Sequence, residues 1–172
     1  MKLFRGRISL MKKIPLLLLI LLTVLPACKP ISRSGAEPDV AQNGIEIYQA
    51  RVRVPGGQST AEGMDNMQMD VNLAAYMTIK NTSNTDDRLL SASADFANAS
   101  LHETKMDGDV MQMVEVDGID IPAGQVVELK TGSFHIMLMN PTEVPQVGST
   151  VNLTLEFEKA GTIIVPAQVT EQ

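Results

Sequence analysis

Residues 151–158 read VNLTLEFE, with apolar and polar side chains alternating without a break. A period of two is that of a strand with one face in a core and the other in water. Residues 71–80, VNLAAYMTIK, repeat the pattern: Val71, Leu73, Ala75, Met77 and Ile79 alternate with Asn72, Tyr76, Thr78 and Lys80. In the first strong run, Tyr48, Ala50, Val52 and Val54 alternate with Gln49, Arg51 and Arg53. Shorter apolar runs follow the same rule (RLLSASA, ASLHET, VMQMVEV, QVVELK, SFHIMLM and TIIVPAQV), and NTSNTDD, MDGD, DGIDIPAG and EKAG punctuate them as turns. About eight or nine short strands at this spacing predict an all-β fold, an antiparallel Greek-key sandwich or barrel. Aromatic residues make up only 3% of the chain and there is no Trp, so Val, Leu, Ile and Met must fill the core.

The 172 residues hold one domain plus a targeting segment. Basic residues lead into the apolar run Ile14–Ala27, which is shorter than the roughly 20 residues a bilayer span takes. Residues 1–27 therefore read as a secretory signal peptide, and MKKIPLLLL makes Met11 an alternative start that is complete by itself. The run ends in Leu25-Pro26-Ala27-Cys28, which resembles the bacterial lipoprotein box and makes Cys28, the single cysteine, the expected lipid anchor. Lys29 follows rather than Asp, which in a Gram-negative cell favours the outer membrane. The expected location is thus the periplasm or cell envelope, with attachment to a membrane through the lipid.

Residues 28–44 mix Pro, Gly, Ser and charge without periodicity and are expected to be a flexible tether, with the domain proper at 45–172. Removing residues 1–27 takes five basic and no acidic residues from totals of 14 and 20, which leaves a formal charge of −11. Such a surface repels nucleic acid and attracts cations and basic partners.

SFHIMLM, residues 133–139, sets Phe134, Ile136 and Leu138 on one face and His135, Met137 and Met139 on the other. VMQMVEV divides the same way: Val110, Val114 and Val116 against Met111 and Met113. His102, the only other histidine, lies in the strand-like ASLHET. Thioether sulfur is soft and neutral and selects Cu(I) over hard cations, and imidazole strengthens such a site. Zn²⁺ prefers Cys, His and carboxylate, and a blue-copper centre needs a Cys thiolate that Cys28 is badly placed to give. Any one of these residues taken alone reads more readily as core filling. The argument rests on the set.

That set, His102-x10-Met113-x21-His135-x-Met137, resembles the copper motif of the PCu(A)C family of periplasmic copper chaperones at all four positions. AAYMTIKN, DDRLLSASAD, LHET, IPAGQVVELKTGSFHIMLMNP and GSTVNLTLEF resemble that family too, over about residues 45–169. The resemblance implies a cupredoxin-like β-sandwich with His102, Met113, His135 and Met137 as ligands to one Cu(I). It also implies a recipient, expected to be the copper-centre subunit of cytochrome c oxidase or another copper-transfer protein.

Met64, Met67 and Met69 in the polar stretch MDNMQM form a second candidate copper set, with capping of one barrel end as the alternative. Met139 is expected to pack beside the site, and Met106 and Met111 carry no assignment. No enzyme is expected: His102-Glu103-Thr104-Lys105-Met106 lacks the second His of HExxH, and no Cys–His pair is available. The competing class is an immunoglobulin-like envelope lipoprotein module that binds no metal.

Overall fold

The computed structural model describes residues 37–55, 71–108 and 110–171. Cys28, the signal segment and the Met64, Met67 and Met69 set lie outside the described residues. Eleven strands form among the described residues: β1 (Val40–Gln42), β2 (Ile45–Val54), β3 (Leu73–Asn81), β4 (Asp87–Ser93), β5 (Asn98–Asp107), β6 (Val110–Glu115), β7 (Ile119–Ile121), β8 (Val126–Leu129), β9 (Phe134–Met139), β10 (Thr150–Phe157) and β11 (Gly161–Glu171). No helix occurs among the described residues. The strands form one sheet in the order β6-β5-β9-β3-β2-β11-β10-β4-β7, with β1 added to β2 and β8 to β3. Every pairing is antiparallel except β11 with β2. The all-β expectation therefore holds, with the sheet surrounding one core.

Alternation builds that core directly. Leu73, Ala75, Met77 and Ile79 of β3, Leu153, Leu155 and Phe157 of β10, and Ile163, Val165, Ala167 and Val169 of β11 are all buried. Aliphatic branches and Met77 do most of the filling, as the scarcity of aromatics requires. Each such side chain contributes about 1.5–3 kcal/mol by leaving water.

Two short strands are additions to the sequence reading. The last part of the expected tether is β1, which pairs with β2 through Val40↔Ile47, Ala41↔Glu46 and Gln42↔Ile45. Asn43 and Gly44 make the turn with φ of 51° and 85°, the doubly left-handed geometry that Asn-Gly favours in a two-residue hairpin. The sheet thus begins before residue 45. Ile119 and Ile121 of β7, in a stretch read as a turn, are fully buried.

Two side-chain directions also differ from expectation. Tyr48 was expected to face inward with Ala50, but the β2–β3 register shifts between Tyr48 and Arg51. Gln49, at φ 53°, is the extra residue of this bulge, so Ile45 and Ile47 point inward upstream of it and Ala50, Val52 and Val54 downstream. The Ala50 N–H donates to Asp39 Oδ2 at 2.7 Å, so the interrupted ladder leaves no orphan there. The second difference is β6, where Val110 and Val114 are 60% and 40% exposed rather than in a core. β6 ends the sheet, and no described residue packs over its valine face. Only Val116, just past the strand, packs against the core, with its N–H donating to the Leu101 carbonyl at 2.9 Å.

Candidate metal centre

Strand order brings β9, β5 and β6 side by side, and their registers decide which side chains meet. His102 stands directly opposite His135, and Ser100 opposite Met137, across β5–β9. Thr104 stands opposite Met113, and His102 opposite Glu115, across β5–β6. Partners in an antiparallel pair project from the same face, and so do residues two apart along a strand. His102, Met113, His135 and Met137 therefore share one face. The opposite face carries Leu101, Ile136 and Leu138 into the core.

The His102 and His135 ring centroids are 5.8 Å apart, with the planes tilted by 32°. With imidazole–metal bonds of about 2 Å, two rings on one ion keep their centroids within roughly 6 Å, so this pair fits a shared ion. Met113, His135 and Met137 line a single cavity of about 210 Å³ together with Tyr76, Thr104 and Thr131. His102 adjoins it through His135. Arg51 lies 5.5 Å above the Tyr76 ring, and the Arg53 guanidinium donates to Thr131 Oγ1 at 3.2 Å. Two cationic side chains of β2 thus border the cavity.

Each histidine is oriented by the residue two positions earlier. The sequence carries Ser-x-His twice, as Ser100-Leu101-His102 and Ser133-Phe134-His135. His135 Nδ1 lies 3.0 Å from the Ser133 carbonyl, which can only accept, so Nδ1 carries the proton and Nε2 keeps its lone pair. Gly132, at φ 78°, makes the tight turn before Ser133. His102 Nε2 lies 2.9 Å from Ser100 Oγ, while its buried Nδ1 has no partner among the described residues. With Nε2–H donating to Ser100, Nδ1 also presents a lone pair. A buried ring nitrogen without a partner is costly, and coordination would satisfy it. Burial, and then repulsion from His135, hold the His102 pKa below the usual imidazole value, with Glu115 opposing; this favours the neutral, ligating form.

His135 is 4% exposed and Met113 is 63% exposed, so the donor set runs from a buried end to an open one. Among the described residues no three His, Cys, Asp or Glu side chains gather as a metal site. The donors that join the two imidazoles are thioethers, a combination suited to a soft ion. Met139 is partly buried on the same face of β9, and Met106 and Met111 lie exposed on the β5–β6 hairpin. Ser100 and Ser133 escaped the sequence reading, although the doubled Ser-x-His was a usable signal.

This fold and face define a class: a cupredoxin-like β-domain that gathers two imidazoles and two thioethers on one sheet face. Residues 45–169 match the family model described as "Putative lipoprotein LpqE-like", and the chain belongs to that family. Protein RP573 of Rickettsia prowazekii is 33% identical over 135 residues, spanning 76% of this chain and 75% of that protein. "Putative lipoprotein Lxx21020" of Leifsonia xyli is 29% identical over 139 residues, spanning 79% and 75%. Among solved structures, the copper-bound PCuAC domain from PmoF2 superposes with a TM-score of 0.60 at 25% identity, covering 77% of this chain and 97% of that one. Apo-DR1885 from Deinococcus radiodurans gives 0.53 at 26% identity, covering 86% and 95%. The resemblance to PCu(A)C proteins is thus met in family and fold.

Proposed function

We propose that this protein is an extracytoplasmic carrier of one Cu(I), held by His102, Met113, His135 and Met137 and passed to another protein. The observation that carries this reading is the register that sets His102 beside His135 and puts both methionines on the same face around one cavity. Four neutral donors suit a monovalent soft ion, because none of the four is a carboxylate that would favour a harder one. Similarity to a PCuAC domain solved with copper bound supports the choice of metal.

The geometry suggests a division of labour. His135, buried and fixed by Ser133, anchors the ion. Met113, on the sheet edge and open to solvent, is the ligand an incoming donor replaces first. Transfer proceeds by ligand exchange, with no change of oxidation state, so the protein is a carrier and not an enzyme. The proposed recipient is a copper-transfer protein or the copper-centre subunit of cytochrome c oxidase.

Two lipoprotein-type matches support lipidation at Cys28, with residues 1–27 removed and the domain tethered at the cell envelope, at the outer membrane in a Gram-negative cell. Anaerobic titration of the purified protein with Cu(I) against a competing chelator tests the central point. One tightly held ion is expected, weakened in His102→Ala and Met113→Ala. Unchanged uptake in both variants would remove the ion from this donor set, and no uptake by the unaltered protein would return it to the class of metal-free envelope modules.

A further inference from the structure

The β5–β6 hairpin carries two methionines that the His102–Met137 set does not use. Met106 and Met111 are direct cross-strand partners, two pairs beyond Thr104↔Met113 toward the hairpin tip and the next pair on its face. Parity places them on the same face as His102, Thr104 and Met113. Met106 is 64% exposed and Met111 69%. No described residue covers them, so core packing does not account for them.

The geometry points to Met106 and Met111 as a second Cu(I) site, a two-thioether entry station from which the ion passes to Met113 and the histidine pair. Directly opposed residues hold their Cβ atoms about 4.5–5.5 Å apart, and the three torsions of each methionine let both sulfurs close on one ion. Two thioethers alone bind weakly and exchange readily, as a transfer point requires. Met111 and Met113 are two residues apart on one strand and on one face, a step of roughly 7 Å that a flexible thioether can bridge. A run of neutral sulfurs therefore leads from the hairpin tip to the buried end of the site. The choice of ion rests on the proposed function; the pairing of Met106 with Met111 does not.

The test uses protein labelled with ¹³C at the methionine ε-methyls and titrated with Ag(I), a redox-inert analogue of Cu(I). The first equivalent is expected to move the Met113 and Met137 signals, and the second those of Met106 and Met111. In Met106→Leu/Met111→Leu the second event disappears while the first keeps its affinity, and loading from a weak Cu(I) chelator slows several-fold. In His102→Ala/His135→Ala the Met106 and Met111 signals still respond to Ag(I), which separates this site from the fate of the main one. Methyl signals of Met106 and Met111 that stay fixed through several equivalents would overturn the proposal. So would loading of the double-Leu variant at the wild-type rate, which would leave these side chains as an apolar protein contact.

Discussion

β9 and β6 give side chains to the same face, but β9 is wedged between β5 and β3 while β6 ends the sheet. Behind His135 and Met137, β9 drives Ile136 and Leu138 fully into the core. Behind Met113, β6 offers only exposed residues. One strand combines structure with proposed ligation, whereas the other is almost free of structural duty. A carrier needs both: a donor that does not move, and a donor that can be taken away.

The largest effect is therefore expected on the stability of β9. Ile136→Ala should cost about 2–5 kcal/mol through lost burial and a residual cavity, whereas Val114→Ala should stay within about 0.5 kcal/mol. Urea unfolding of the two variants, with m unchanged, measures the contrast. Comparable losses would mean that β6 is part of the core after all.

Copper retention should divide along the same line. Removing an oriented imidazole should cost more than the roughly 10–100-fold typical of outer-shell changes, so His135→Ala is expected to weaken Cu(I) beyond that range. Met113→Leu should weaken it less and speed release to an acceptor, without changing the unfolding midpoint. Competition titrations and stopped-flow transfer read the two quantities separately.

A smaller effect is expected at Ser100. Ser100→Ala removes the partner of His102 Nε2, and affinity should fall by about tenfold, while Ser133→Ala should have little effect because the Ser133 carbonyl, not its hydroxyl, orients His135.

The smallest effect concerns pH. Because folding depresses the His102 pKa, the unfolded chain takes up the proton first, and apo-protein stability should fall as pH drops below the ordinary imidazole value of 6.5. His102→Gln should flatten that slope, as read by thermal unfolding between pH 7 and pH 5. A slope unchanged by the substitution would assign the titration to another group.

Much of this comparison was legible in the alternation. A period of two fixes faces, so the division of 133–139 into Ile136 and Leu138 against His135 and Met137 followed from sequence alone. What alternation does not encode is which strands become neighbours. β5 and β6 form a local hairpin, but the pairing of β5 with β9, which sets His102 opposite His135, spans a long stretch of chain and follows from the packing of the whole sheet.

Local chemistry was overlooked in two places. Asn43-Gly44 is a hairpin signal hidden inside a polar, tether-like stretch, and β1 is too short to show alternation. The bulge at Gln49 reversed the phase of β2, which no strict alternation reading anticipates. The valines of β6 failed for another reason: their alternation looks like that of a half-buried strand, but an edge strand with no described residue packed over that face buries neither side. Of the three methionine groups, 64–69 lies outside the described residues, and the two on β5, β6 and β9 share one face.

X-ray absorption at the copper edge of the Cu(I)-loaded protein tests the shared donor set most directly. At one equivalent, two nitrogen and two sulfur scatterers per copper are expected, with one sulfur lost in Met113→Leu and one nitrogen lost in His135→Ala. A nitrogen- and oxygen-only shell, or a sulfur count untouched by Met113→Leu, would contradict the account.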